Sequence, residues 1–314
     1  MLDHLHIKNY RLFHDLRIDT LGQVNLIAGK NNTGKTALLE AIRIVLSQED
    51  IYEFRDEISL IITRRGDDTS TDVFGTIFND FNQNVAINNV QISATRPRRL
   101  LVNHEGAEIV NGREQTADGL NFDYSARERI NNHFTFVSIG IDSVLNDIFW
   151  QETALTSKED DLIEILKVID TRIKRINVNS NNTKVQLNDY DKPIPLKNLG
   201  DGANRLLTLA LALVNSKNKV LLIDEFEVGL HHSIQEQLWD MIFKYAELLN
   251  IQVFVTTHSQ DTVQAFYRAA VKTSQYRAMA NYFTLHRKGA GDVKAIIYDL
   301  DEIETALLTN IEIR

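Results

Sequence analysis

The 314-residue chain contains no cysteine. That excludes disulfide staples, thiolate metal sites and a cysteine nucleophile, and it suits a reducing compartment. Proline is scarce, with three residues at Pro97, Pro193 and Pro195, so most of the chain is free to form uninterrupted helices and strands. Long apolar runs are missing too. Leu206–Val214 and Val220–Ile223 are much shorter than a membrane-crossing helix needs. The first residues, MLDHLHIKNYRLF, are polar and strand-like and lack the apolar centre of a secretory signal. No N-K-x-D segment for reading a guanine base occurs. Net charge is −9, so the chain as a whole is not a general polyanion binder. These features read as a cytoplasmic protein with no membrane partner. Hydrophobic residues make up 43% of the chain, enough for a sizeable core.

The periodicity of what remains predicts an α/β protein. Residues 5–28 form short alternating strands, Ala37–Leu46 a strongly apolar helix, and 51–62 a further helical stretch. Residues 70–137 break into short β-type runs separated by Asn, Gly and Asp, which predicts antiparallel hairpins. Helical spacing returns over 142–176, with Leu162, Ile165, Leu166 and Ile169 on one face. Residues 177–191 are Asn-rich and predict a loop or hairpin. ANRLLTLALALVNSK (203–217) is an apolar helix. KVLLIDE (219–225) and Gln252–Thr256 do not alternate, as expected of parallel strands covered on both faces. Ser233–Leu249 is amphipathic, another helix starts at Asp261, and Tyr282–Leu285 and Lys294–Tyr298 are the last strands. A sheet core built from both ends of the chain, 1–50 and 193–314, would then carry an antiparallel β insertion at 70–137 and a helical lobe at 138–192, all within a single domain of 1–314.

Two motifs carry chemistry. GKNNTGKT, the residues Gly29, Lys30, Asn31, Asn32, Thr33, Gly34, Lys35 and Thr36, matches G-x-x-x-x-G-K-[ST] in full and runs from an apolar strand into a helix that continues at Ala37. Glycines let the loop amides turn inward as an anion nest, and the helix N-terminus adds positive potential. Lys35 would reach the β- and γ-phosphates, and Thr36 would offer a hydroxyl to Mg²⁺. LLIDE (221–225) ends a buried strand in two carboxylates. Asp224 would hold Mg²⁺, and Glu225 could polarise an attacking water. Either motif alone could be an ordinary turn or a solvated strand end. Phosphoryl transfer needs both.

Their wide separation, with further motifs in order between and after them, resembles the ABC-type ATPases. LGDGANRLLTLALAL (199–213) is similar to the signature segment, with Gly200, Asp201 and Gly202 at its turn. EVGLHH (227–232) resembles the D-loop region, and VFVTTHSQD (253–261) the switch strand, with His258 in the switch position. IKNYRLFHDL (7–16), including Tyr10 and Arg11, resembles the opening strand of chromosome-maintenance and recombination-repair ATPases. The layout is similar to the ATPase part of the OLD group of prokaryotic AAA-family proteins, without the Toprim nuclease domain that would follow it. The resemblance implies ATP and Mg²⁺ as cofactors and a homodimer that sandwiches two nucleotides. It also implies a γ-phosphate sensor at His258 and a nucleotide contact at Arg11. Two departures stand out. Gly200 replaces the signature serine, leaving a backbone amide but no hydroxyl. No glutamine stands in FVSIGIDS (136–143), the best place for the Q-loop.

The implied activity is a nucleotide switch acting on a separate effector or DNA-processing partner, for instance a nuclease in phage defence. A nucleotide-gated structural or DNA-clamping protein with negligible hydrolysis is the alternative. A transporter subunit fits the β insertion poorly. Arg96, Arg98 and Arg99, and then Arg172, Lys174 and Arg175, are candidate DNA contacts, although such runs are commonly just solvated faces. DLDE (299–302) reads as a helix cap by Asp299 or Asp301 rather than a metal pair.

Overall fold

The computed structural model describes residues 1–47, 53–61 except 55 and 59, 90–94, 98–103, 106–110, 114–118, 131–139, 143–179, 182–288, 292–309 and 311–313. In chain order the elements begin with β1 (Leu5–Tyr10), β2 (Phe13–Ile18), β3 (Val24–Ala28) and α1 (Lys35–Leu46). Then come β4 (Val90–Ala94), β5 (Arg98–Asn103), β6 (Gly106–Val110), β7 (Glu114–Asp118) and β8 (Phe134–Val137). Helices α2 (Ser143–Thr153) and α3 (Ser157–Leu166) precede three short strands, β9 (Ile173–Asn177), β10 (Lys184–Leu187) and β11 (Ile194–Pro195). The last part holds α4 (Ala203–Val214), β12 (Val220–Ile223), α5 (His232–Leu248), β13 (Gln252–Thr257), α6 (Gln260–Ala270), α7 (Ser274–Met279), β14 (Ala280–Lys288), β15 (Asp292–Tyr298) and α8 (Leu300–Leu308).

The chain divides into two compact units. The first comprises Met1–Gly22, Gly29–His133 and Phe283–Ile297. It contains an antiparallel sheet in the order β2-β1-β4-β5-β6-β7. Alternation in β1 and β2 turns Leu5, Ile7, Leu16 and Ile18 inward. Helix α1 is buried along nearly its whole length. It is tied to the helical residues near 57 by Arg43, whose guanidinium lies 2.6 Å from the Glu57 carboxylate with both side chains largely buried.

The second unit comprises Gln23–Ala28, Phe134–Tyr282 and Tyr298–Arg314. Its sheet places β3, β13, β12 and β8 side by side, all parallel. The fully buried VNLIA, VLLI and QVFVTT runs lack alternation because both faces are covered. Helix α4 packs against α2 and α3, and α5 packs against α6. Phe226, Trp239, Phe243 and Phe266 form a connected aromatic cluster, with Phe226 and Trp239 4.8 Å apart and Trp239 and Phe266 meeting edge-on at 5.0 Å. Buried aromatics of this size dominate core energetics.

The architecture is α/β with mixed parallel and antiparallel strands, as the periodicity predicts. Three local expectations need correction. Phe134–Val137 belongs to the parallel sheet beside β12, not to the hairpins. The helical spacing expected through 176 stops at Leu166, and Ile173–Asn177 is a strand paired with Lys184–Leu187. A turn held by Arg172, which bonds Asp170 at 2.7 Å and Asp189 at 2.8 Å, separates the two elements. The C-terminal helix begins at Leu300, two residues before the Glu302 start that a cap at Asp299 or Asp301 suggested. Asp299 is its cap, in a reciprocal box with Glu302, and Asp301 pairs instead with Arg277 at 2.5 Å. The β-type runs at 73–80 and 120–126 lie outside the described residues, as does Arg96.

Candidate functional site

In the first unit, the residues after β3 form a tight loop into α1. Gly34 sits at φ 96, a left-handed conformation that side chains resist. A Cβ there would also come within 2.9 Å of the Phe13 ring. Helix α1 has no side-chain cap and no acidic residue in its first turn. Its first amides and its dipole are thus directed to whatever anion the loop takes. Lys35 is only 7% exposed, and its ammonium donates to the carbonyls of Gly29 at 2.7 Å and Lys30 at 3.0 Å. Thr33 is buried and its hydroxyl closes the loop onto the Lys30 carbonyl at 2.9 Å. Lys30, Asn31, Asn32 and Thr36 are exposed, and Ala37 is buried as the first apolar residue of the helix. A buried ammonium beside the N-terminus of a helix whose first turn holds no acidic residue suits a polyphosphate chain.

Arg11, in the same unit, is placed differently from the loop residues. Its guanidinium lies 3.0 Å from the Glu40 carboxylate, with both side chains under a tenth exposed, and it packs over the Tyr10 ring. Tyr10 is itself buried, and its hydroxyl donates to Glu40 at 3.4 Å. Both residues brace β1 against α1.

In the second unit, register fixes where the strands end. Ala28 lies opposite Thr257, and Ile223 opposite Val255, so β3, β12 and β13 finish along one edge. The residues that follow them in the chain are Gly29, Asp224 and His258. Ligand crevices of open parallel sheets form beyond such carboxyl ends.

Thr256 organises the turn after β12. Its hydroxyl donates to Asp224 Oδ1 at 2.6 Å and accepts the Glu225 amide at 2.8 Å. Its carbonyl accepts the Phe226 amide at 3.0 Å. Asp224 is 3% exposed and Thr256 is fully buried. Glu225 is held at φ 48, a conformation that costs a non-glycine residue on the order of 1 kcal/mol and persists only where neighbours enforce it. Phe226, inserted in the aromatic cluster, anchors the other side of the turn.

Glu227 does the same for the switch position. One of its oxygens accepts the His258 amide at 2.7 Å and lies 2.9 Å from His258 Nδ1, while the other accepts the Thr257 hydroxyl at 2.8 Å. The His258 ring remains 41% exposed. The bond from the backbone amide anchors the residue, while Nδ1 is close to the carboxylate without hydrogen-bond geometry, so the ring itself is held by proximity of charge.

The signature segment enters through a short 3-10 turn, Leu196–Leu199. Gly200 follows at φ 118, Asp201 is exposed, and Gly202 opens α4. Arg205, one turn into the helix, is 2% exposed. Its guanidinium donates to the Ser138 carbonyl and, at 3.1 Å, to the Asp224 carbonyl. Burial lowers its proton affinity, opposed by the negative field of Asp224 and Glu227. Arg205 thus ties the start of α4 to the ends of β8 and β12. Thr256, Glu227 and Arg205 fall inside the segments that carry the resemblance, but sequence reasoning gave them no role, because their partners lie far away in the chain. A polar residue amid an apolar parallel strand was the one available signal for Thr256.

The described family "AAA domain, putative AbiEii toxin, Type IV TA system" matches residues 90–263, more than half of the chain. The chain belongs to this family. The matched stretch of the AAA domain contains Gly200–Gly202, Asp224, Glu225 and His258. An "ATP/GTP phosphatase" of Helicobacter pylori is 25% identical to it, over 84% of this chain and 87% of that protein. Among solved structures, an Smc head bound to the C-winged helix domain of ScpA matches with TM-score 0.65 at 12% identity, covering 97% of this chain and 99% of that one. The Smc head domain of Thermotoga maritima matches with TM-score 0.57 at 14% identity, covering 95% and 99%. The AAA domain therefore has the ABC-like P-loop NTPase fold of Smc heads. Among the described residues, no helix is long and apolar enough to cross a membrane.

Proposed function

We propose that this AAA domain binds ATP with Mg²⁺ and hydrolyses it as a homodimeric switch. The observation that carries the reading is the shared edge of β3, β12 and β13. Chain continuity from that edge leads to the phosphate loop, to Asp224 and Glu225, and to His258. Bound Mg²⁺ would neutralise charge on the β- and γ-phosphates, and Thr36 and Asp224 are the residues to hold it. Lys35 would turn its ammonium from the loop carbonyls to the phosphates. Glu225 would accept the proton of the attacking water. His258, fixed by Glu227, would report the γ-phosphate. Gly200, Asp201 and Gly202 would face the nucleotide of a second copy. The phosphatase name of the Helicobacter relative agrees with nucleotide hydrolysis.

The domain limits expected above, with 1–50 and 193–314 as the nucleotide-binding core, belong to this proposal. So does the OLD-like placement, with a separate effector such as a nuclease in phage defence. That part rests on the sequence resemblance and on a family description that names a toxin, which is analogy rather than site chemistry.

Glu225→Gln is the deciding variant. A general base predicts a fall in turnover of at least about a hundredfold with ATP binding kept, and an ATP-bound dimer that accumulates in size-exclusion chromatography. Turnover equal to wild type would favour a nucleotide-gated clamp instead.

A further inference from the structure

The strand pair β9–β10 has two unlike faces. Ile173, Ile176, Val185 and Leu187 point into the core. The register sets Arg175 beside Gln186 and Asn177 beside Lys184, then shifts between Gln186 and Leu187, so that Lys174 is the extra residue of a bulge. Lys174, Arg175 and Lys184 are exposed and line one groove of about 630 Å³, which Tyr190 also borders. Asp191 is the carboxylate in that lining.

This concentration of cation is unusual for the chain. Acidic residues outnumber basic ones 43 to 34, so surface cations have ample partners. Arg172, two residues before Lys174, is indeed locked between Asp170 and Asp189. Lys174, Arg175 and Lys184, in contrast, have no carboxylate within ion-pair distance among the described residues. The groove is also built rather than loose. Gln186 donates to the carbonyls of Leu187, at 3.2 Å, and Tyr190, fixing the turn that carries the 51% exposed tyrosine ring.

We propose that this groove binds the phosphodiester backbone of a single nucleic-acid strand, with Tyr190 stacking on a base. Three convergent cations match successive phosphates, and an open groove admits a continuous strand where a closed pocket would not. An exposed, anchored aromatic at the rim is the usual companion of such a track. The inference deepens the DNA-processing part of the proposed function. It uses none of the nucleotide-site residues and can fail separately.

The test is fluorescence anisotropy with a labelled single strand of roughly 20 nucleotides, longer than the footprint of one small binding module. The full chain is titrated without ATP at several salt concentrations. Three phosphate contacts predict that log Kd rises with log salt with a slope of about 2. The triple variant Lys174→Glu, Arg175→Glu, Lys184→Glu should weaken binding at least about tenfold at low salt and flatten the slope. Tyr190→Ala should weaken it at least about fivefold with the slope unchanged. Lys217→Glu, an exposed charge reversal elsewhere in the same unit, should have little effect. Absence of wild-type binding at low salt overturns the proposal. So does a triple variant that binds like wild type, or a loss per charge just as large from Lys217→Glu. A duplex of the same sequence competing as well as the strand overturns the single-strand assignment. Lys35→Ala should leave these curves unchanged, so failure of the ATP reading shows in ATP titrations and failure of this one in the anisotropy.

Discussion

Thr256 has no part in the chemistry of phosphate transfer, yet two of the proposed catalytic groups depend on its hydroxyl. It bonds the buried Asp224 carboxylate on one side and the Glu225 amide on the other. Valine would fill nearly the same space and make neither bond. A buried carboxylate deprived of a partner costs about 1–3 kcal/mol, and Glu225 would lose the clamp on its positive φ. Thr256→Val should therefore lower thermal stability and raise the Mg²⁺ concentration for half-maximal turnover severalfold, with Thr256→Ser restoring most of both. A magnesium titration identical to wild type would remove Thr256 from the site and leave it a packing residue. Lys35 offers a plainer test at the same scale. Its ammonium is the buried cation of the loop, and Lys35→Ala should abolish ATP binding in equilibrium titration, where normal affinity would contradict the assignment.

Among the elements, α4 shows how closely the signature segment is fitted to its surroundings. A Cβ on Gly202 would lie 2.5 Å from the Gly229 carbonyl, which is backbone and cannot swing aside. Arg205 then holds the same helix to the ends of β8 and β12. Gly202→Ala should cost about 1–3 kcal/mol in urea unfolding, typical of overpacking a tight site. An unchanged midpoint would mean that the two turns can separate freely. Helix α4 was legible in the sequence because its residues from Leu206 to Val214 are apolar except for Thr208. The phosphate loop was legible because glycines and a lysine at fixed spacing, between a strand and a helix, admit few other structures. Strand β8 was not, since FTFV has only four residues and follows a run of hairpin-like sequence, and its parallel partner lies far along the chain. Strand β9 was not either. Ile169, Ile173 and Ile176 fall at helical intervals, and it takes the Arg172 bridges to Asp170 and Asp189 and the backbone bond from Ile173 to Asp170 to show that the chain turns between them. The basic groove shares that cause. Read as one run, Arg172, Lys174 and Arg175 look equivalent, whereas pairing removes the first and the β9–β10 register brings Lys184 to the other two.

For the whole molecule, the sandwich dimer makes a prediction that no single-chain site shares. If each ATP lies between the phosphate loop of one copy and the signature segment of another, two defects in different chains can complement. Lys35→Ala spoils the loop and keeps the signature. Asp201→Arg puts a bulky charge at an exposed signature position and keeps the loop. Each variant alone should be inactive. In an equal mixture half of the dimers are mixed, and each mixed dimer retains one intact composite site of its two, so turnover should recover to roughly a quarter of wild type. The recovery should grow with total protein concentration, because it depends on encounter between chains. Mixtures no more active than either variant, at concentrations where the wild type turns over, would show that hydrolysis is completed within one chain and would sink the dimeric switch.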